Sequence, residues 1–244
     1  MARFYCSTRI PNEPTWFLPE TVFHHAVRVL RMSIGDQLTL FDGTGYEYLA
    51  QITEVDKHKA LVNITRQQLM SRESPLNLCL AQALLNHDKM DWVIQKAVEL
   101  GVKEITPLIT ERSIVKIATD KMQQRMERWQ NIIISACEQS GRNILPIITE
   151  PISLSHWLPS LTASQRIVLK PNSRERLDQL TINKKEQVVF IVGPEGGLSD
   201  EEIALLLTHQ FTGISLGPRI LRTETAGLAV LSCAQLLWGD FNNL

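Results

Sequence analysis

The stretch from Gln187 to Trp238, QVVFIVGPEGGLSDEEIALLLTHQFTGISLGPRILRTETAGLAVLSCAQLLW, constrains this chain more than any other. Two apolar runs each stop at a glycine-proline turn. Val188 to Val192 ends at Gly193-Pro194, and Ile214 to Leu216 ends at Gly217-Pro218. Each turn leads into a segment that can start a helix. Two strand-to-helix turns this close in sequence, both built from residues that bare their backbone, point to one small-molecule site at the carboxyl ends of parallel strands.

The surroundings of these turns predict a helix-covered parallel sheet. Strand candidates are Leu76 to Ala83, Ile105 to Ile109, Ile147-Ile148, Arg166 to Lys170, Val188 to Val192 and Ile214 to Leu216. Between them, Asp88 is positioned to cap a helix running through Leu100, with Gly101 as its stop. A longer helix is expected from about Asp120 to Gln139. It carries Trp129, Ile132, Ile133 and Ala136 on one face and ends at Gly141. Ser199 and Glu202 have capping-box spacing for a helix from Asp200 to His209, and Thr225 to Trp238 reads as the last helix. Strands alternating with helices mean an α/β domain, here residues 75–244.

The first 70 residues read differently. ARFYC, Gln37 to Phe41, Tyr46 to Val55 and Ala60 to Thr65 have strand patterns, and Asp42-Gly43-Thr44-Gly45 is a hairpin turn. Glu20 to Leu30 has helical spacing, with Val22, Ala26, Val29 and Leu30 on one face. A small β-barrel with one helix is expected, followed by a polar linker from Gln67 to Pro75.

Composition adds exclusions. Lys and Arg total 25 against 26 Asp and Glu, so the net charge of −1 argues against a protein that coats polyanions, but leaves room for a local basic face. Cys6, Cys79, Cys137 and Cys233 are widely spaced among apolar residues, as expected of small buried hydrophobes in a reducing compartment. The amino terminus lacks an apolar signal core. The apolar stretch Ala226 to Trp238 is shorter than the roughly 18 residues a membrane span needs. A cytoplasmic protein with no membrane partner is expected. His24, His25 and His87 lack companions at ligand spacing, so no metal is expected.

The loop Gly193-Pro194-Glu195-Gly196-Gly197 is neither a Walker A loop nor a G-x-G-x-x-G fingerprint. Taken alone, it reads as a tight turn with glycines for geometry rather than as a ligand loop. The second turn, Gly217-Pro218-Arg219-Ile220-Leu221-Arg222-Thr223-Glu224, adds two arginines around an apolar pair and a carboxylate at the mouth of an apolar helix. A structural loop has little use for that set, although Arg222 and Glu224 paired with each other would be one.

GPEGG followed by LGPRILRTETA resembles the SPOUT superfamily, and specifically the ribosomal RNA small subunit methyltransferase E family. HHAVRVLR, FDGTG, DKMDWVIQKAVELGV, ITPLITERSIVK and RWQNIIISACEQSGRNILPII are similar to that family's segments, so the resemblance covers nearly the whole chain. It implies a PUA-like RNA-binding β-barrel over residues 1–70 and a SPOUT domain with a carboxy-terminal trefoil knot over 75–244. Sequence rules alone would exclude a knot. It implies S-adenosyl-L-methionine as cofactor, held by Leu169, Lys170 and Pro171, by Gly193, Pro194, Glu195, Gly196 and Gly197, and by Leu216, Gly217, Arg219, Ile220 and Leu221. It implies a homodimer that methylates N3 of a uridine near the 3′ end of 16S ribosomal RNA, in the small ribosomal subunit. A non-catalytic assembly factor and a transfer-RNA methyltransferase are the alternatives. The chain departs from the family pattern at Leu85-Asn86-His87-Asp88, where relatives often carry a lysine-glycine pair, and loosely at Lys170-Pro171-Asn172.

Uridine N3 is a poor nucleophile while protonated, so a base, or a cation beside the developing anion, assists the transfer. Candidates are Glu138, Arg142, Arg222 and Glu224, with Glu195 beside them. Arg3, Arg9, Arg28 and Arg31 in the first domain, and Arg112, Lys116 and Arg125 in the second, are candidate RNA contacts; each alone reads as a solvated charge, and together they would make a modest basic face.

Overall fold

A computed structural model describes residues 1–115 and 119–242. Lys116, a candidate RNA contact, lies outside the described residues. The chain divides into two compact units. Residues 1–73 and 137–145 form one, and 74–136 and 146–244 the other.

In the first unit, β1 (Ala2–Tyr5), β2 (Thr15–Phe17), β3 (Gln37–Phe41), β4 (Tyr46–Val55) and β5 (Ala60–Leu69) form one sheet in the order β1-β3-β4-β5-β2. Only β1 and β3 run parallel. The turn after Phe41 forms as expected: Gly43 and Gly45 take φ of 84° and 89°, and Asp42 Oδ1 accepts from the Thr44 backbone N–H at 3.2 Å. Register shifts between Leu49 and Ala50, and between Ile52 and Glu54, bend the long β4-β5 hairpin around a core of Phe4, Leu38, Leu40, Ile52 and Val62.

Three expectations change here. The short strand β2 falls outside the sequence reading. The linker is shorter than expected, because β5 runs on to Leu69 and absorbs Gln67 to Leu69. The helix over 20–30 begins as α1 (Glu20–Phe23) but continues as a π-helix over His24–Val29. Leu30 N–H donates to His25 O, an i→i−5 bond. The wider turn breaks the 3.6-residue stripe, so Val22, Phe23 and Ala26 are buried while Val29 is 57% and Leu30 49% exposed.

The second unit contains β6 (Asn77–Ala83), α2 (His87–Glu99), β7 (Glu104–Ile109), α3 (Met122–Ser140), β8 (Ile147–Ile148), β9 (Ile152–Ser153), α4 (Leu154–Trp157), β10 (Gln165–Leu169), β11 (Glu175–Arg176), β12 (Gln187–Val192), α5 (Asp200–Thr208), β13 (Thr212–Ser215) and α6 (Thr223–Leu237). The last turn of α3, from Cys137, groups with the first unit. The sheet is parallel throughout, in the order β11-β13-β10-β12-β6-β7-β8, with β9 also on β7. β13 follows β12 in sequence yet lies beyond β10, so the chain crosses an earlier strand on its way.

The expected caps mostly hold. Ser199 and Glu202 bond reciprocally at the start of α5, and Gly101 and Gly141 take φ of 80° and 84° just past α2 and α3. The cap of α2 is Asn86 rather than Asp88. Asp88 sits in the first turn, where its charge meets the positive end of the helix dipole. The small elements β9, α4 and β11 carry too few residues for a periodic signal.

Of the cysteines, Cys6, Cys79 and Cys137 are free and buried; Cys233 is free and half-buried. Burial pushes the Cys6 and Cys137 thiols up to about 12, so neither supplies a thiolate. Among the described residues no helix is long and apolar enough to cross a membrane, and no cluster of three metal-ligating side chains occurs.

Glu47 organises the polar side of the first unit. Its carboxylate accepts from Arg3 Nη1 at 2.9 Å, Arg72 Nη1 at 3.1 Å and Gln68 Nε2 at 2.6 Å. Burial by itself pushes this carboxyl up; the hydrogen bonds from Gln68, Arg3 and Arg72 outweigh it and bring the group from 4.5 to about 2. The folded value lies below the unfolded one. Ionised Glu47 therefore stabilises the unit at any pH above about 4.5, and that contribution is lost as pH falls towards 2. Glu47→Gln is expected to lower stability at neutral pH by on the order of 1–2 kcal/mol, allowing for solvent screening, and to flatten the pH dependence below 4.5. Urea melts of both proteins at a series of pH values check this.

Candidate functional site

The carboxyl ends of β10, β12 and β13 lie side by side, because Val168 pairs with Ile191 and Leu169 with Ile214. Three turns leave this edge: 170–174, 193–199 and 216–222. Together they bound a cavity of about 720 Å³, within the roughly 300–1,000 Å³ usual for small-molecule sites. Every residue expected to hold a cofactor lines it: Leu169, Lys170, Pro171, Gly193, Pro194, Glu195, Gly196, Gly197, Leu216, Gly217, Arg219, Ile220 and Leu221.

Hydrogen bonds fix the turns. Lys170 N–H donates to Ile214 O at 2.9 Å, and Ser215 Oγ donates to Ser173 O at 3.0 Å, tying the first turn to β13. Gly197 N–H closes on Pro194 O at 2.9 Å. The Arg112 guanidinium donates to Gly196 O at 3.1 Å and Leu198 O at 3.4 Å, so this exposed arginine braces the second turn. Gly197 and Gly217 have φ of 70° and 98°, and a Cβ added at either would meet nothing within 4 Å. Glycine here satisfies the backbone conformation rather than a crowded space.

A buried polar chain joins the second and third turns. Thr223 Oγ1 donates to Gly193 O at 2.5 Å and accepts from Gln82 Nε2 at 3.0 Å. Thr223 is 7% exposed and Gln82 is fully buried in the middle of the sheet. Gln82 falls outside the sequence reading, although one polar residue inside the apolar run LCLAQA signals a buried group that must find a partner.

The charged groups in the cavity wall are Lys89, Lys170, Glu195, Asp200, Arg219, Arg222 and Glu224. Arg222 and Glu224 do not pair with each other: Arg222 is exposed, and Glu224 faces Lys89. Lys89 Nζ donates to Glu195 Oε1 at 3.0 Å and lies 3.7 Å from Glu224 Oε2. Lys89 also falls outside the sequence reading, which took Asp88 as the helix cap and gave Lys89 no role. Ile220 lines the cavity yet stays 84% exposed.

Glu138 and Arg142 do not line this cavity; they belong to the first unit. Glu138 accepts from Tyr5 N–H at 2.9 Å, and burial raises its pKa. Arg142 is buried and donates to Glu73 through Nε at 2.9 Å and Nη2 at 2.5 Å. Arg3 is likewise engaged, with Glu47 and with Asn143 Oδ1 at 2.7 Å. Arg9, Arg28 and Arg31 are exposed; Arg28 lies 5.5 Å from the Phe23 ring centre and donates to Lys57 O. Arg125 lies 5.7 Å from the Trp129 ring centre.

Thr223→Val keeps the shape of the side chain and removes both hydrogen bonds. It is expected to cost about 1–3 kcal/mol, because Gly193 O and Gln82 Nε2 lose a buried partner. Chemical denaturation of the variant and parent checks this.

Comparison with known proteins matches residues 72–235 to an RNA methyltransferase domain and residues 18–65 to an RNA methyltransferase PUA domain. The ribosomal RNA small subunit methyltransferase E of Buchnera aphidicola (subsp. Acyrthosiphon pisum) is 35% identical over 98% of this chain and 94% of its own length. That of Bacillus subtilis is 32% identical over 95% of each. A putative methyltransferase from Legionella pneumophila, solved with the bound cofactor SAM, superposes with a TM-score of 0.93 at 42% identity, over 98% of this chain and 99% of its own. A ribosomal RNA small subunit methyltransferase E from Neisseria gonorrhoeae, bound to S-adenosyl methionine, gives 0.92 at 39% identity, over 99% and 100%.

Proposed function

Because the chain belongs to the ribosomal RNA small subunit methyltransferase E family, we propose that it is an S-adenosylmethionine-dependent enzyme that methylates N3 of a uridine in 16S ribosomal RNA. The observation that carries the cofactor half is the cavity of about 720 Å³ bounded by the three turns. Its residues fit the molecule. Leu169, Ile214, Leu216 and Leu221 offer apolar walls for a flat base, and the turns offer backbone groups for its edges. Glu195, Asp200 and Glu224 supply negative charge to offset a sulfonium. S-adenosylmethionine brings the activated methyl group, so the protein's share of the chemistry is alignment and management of the N3 proton.

Of the candidate bases, Glu224 is the one the cavity favours. It stands in the first turn of α6, its side chain is 14% exposed, and its Oε2 has no hydrogen-bond donor. Glu138, by contrast, does not line the cavity and accepts from the Tyr5 backbone N–H. The RNA half rests on the PUA-type unit, where Arg9, Arg28 and Arg31 stay exposed for phosphate contact.

We read the working unit as a cytoplasmic homodimer, with the chain threaded as a trefoil knot where it crosses β10. Trp92, Leu236 and Leu237, on the packed helices α2 and α6, are 45%, 50% and 42% exposed and give a partner subunit apolar surface to cover.

Two measurements test the reading. Titration calorimetry is expected to show one S-adenosylmethionine bound per chain; a folded protein that gives no binding contradicts the methyltransferase. Mass mapping of 16S ribosomal RNA from a strain lacking this protein is expected to show loss of one N3-methyluridine. A strain that keeps the full set excludes the ribosomal assignment and leaves transfer RNA as the substrate to examine.

A further inference from the structure

Lys89 is the third residue of α2, and its position in the cavity wall is unlike that of the other cations there. Lys170 emerges from the strand edge, and Arg219 and Arg222 are exposed. The Lys89 ammonium instead stands between two carboxylates, 3.0 Å from Glu195 Oε1 and 3.7 Å from Glu224 Oε2. It spends one proton on Glu195. Two of an ammonium's three donors remain. Beside it, Glu224 Oε2 is buried and has no hydrogen-bond partner. The wall thus presents an ammonium with donors to spare next to a carboxylate short of donors, at the edge of a cavity large enough for more than one ring.

That order of groups complements one nucleobase edge. Uracil presents a carbonyl oxygen, the N3–H and a second carbonyl oxygen. Cytosine at the same place presents an amino group where uracil has O4, and a lone pair where uracil has N3–H. An ammonium facing O4 and a carboxylate facing N3–H fit uracil. Against cytosine they oppose donor with donor and acceptor with acceptor, which leaves buried polar groups unpaired.

We propose that Lys89 and Glu224 form the uracil-reading pair of the site, Lys89 as the residue that determines base specificity and Glu224 as the acceptor of the N3 proton. The inference rests on the methyltransferase reading above. In the reaction the N3–H bond breaks and its proton passes to the Glu224 carboxylate. The electron pair left on N3 forms the bond to the methyl carbon, and the pair from the methyl–sulfur bond stays on sulfur, which becomes a neutral thioether. Negative charge that builds on the ring carbonyl during the transfer meets the Lys89 ammonium. Glu195 holds that ammonium in place from the other side.

Full-length Lys89→Met, Lys89→Arg and Glu224→Gln test this, with folding checked by thermal melting. Calorimetry measures S-adenosylmethionine affinity. Fluorescence anisotropy measures binding of two short RNAs of the target sequence, with uridine or cytidine at the methylated position. Rates are measured on small subunits from a strain lacking the enzyme. Lys89→Met is expected to bind S-adenosylmethionine within about twofold of the parent, to lose the preference for uridine, and to fall about 30- to 100-fold in kcat/KM. Lys89→Arg should recover part of that loss, because it keeps the charge and a donor. Glu224→Gln should lower kcat more than RNA affinity.

A Lys89→Met protein that keeps the uridine preference overturns the proposal. So does one whose loss is confined to S-adenosylmethionine affinity, since Lys89 would then hold the methyl donor. A parent enzyme that methylates yet binds both RNAs alike overturns it as well. A parent that binds no S-adenosylmethionine fails at the earlier step, and contradicts the methyltransferase itself.

Discussion

The bond from Thr223 Oγ1 to Gly193 O, backed by Gln82 Nε2, is the interaction on which the cavity depends. It fastens the first residue of α6 to the turn after β12, although thirty positions separate them. Arg112 braces the second turn from outside, but this bond ties the second turn to the third. Because Gln82 is fully buried on β6, an interior strand beside β12, the chain of bonds also anchors both turns to the interior of the sheet. A pocket made largely of backbone needs such an anchor, since glycine-rich turns have little side-chain packing of their own.

Around that anchor, the cavity separates two kinds of group. Apolar side chains from the strand ends give it walls, and charges sit where helices begin. Lys89 comes from the start of α2, Asp200 from the start of α5 and Glu224 from the start of α6. A carboxylate in a first helical turn is favoured by the helix dipole, which helps to steady Asp200 and Glu224. Lys89 has no such support from its own helix and is balanced by Glu195 and Glu224 instead.

The first unit solves a different problem, that of burying polar groups around a small sheet. Glu47 is 8% exposed and tolerable there because Arg3, Arg72 and Gln68 all donate to it. Arg142 and Glu73 make a second buried pair. These bonds take Arg3 and Arg142 into the interior network and leave Arg9, Arg28 and Arg31 as its exposed arginines from the candidate set. The π-helical turn then brings Arg28 to the surface beside the exposed Val29 and Leu30.

Much of this was legible in the residues themselves. The strand runs, the glycine stops at Gly101 and Gly141, the capping pair Ser199 and Glu202 and the two glycine-proline turns are local signals, each set by backbone sterics or a bond within a few positions. They sufficed to place the two glycine-proline turns; the residues expected to hold a cofactor were named through the family resemblance. The π-turn was not legible, since its cost is repaid only by packing against the sheet. Nor were Lys89 and Gln82, whose partners lie 106 and 141 positions away. The sequence by itself determined where strands end and turns bare their backbone, because those depend on local chain geometry. Only the tertiary structure decided which charges face one another across the cavity and which arginines are spent inside the fold, because strand order brings distant segments together and burial forces each polar group to find a partner.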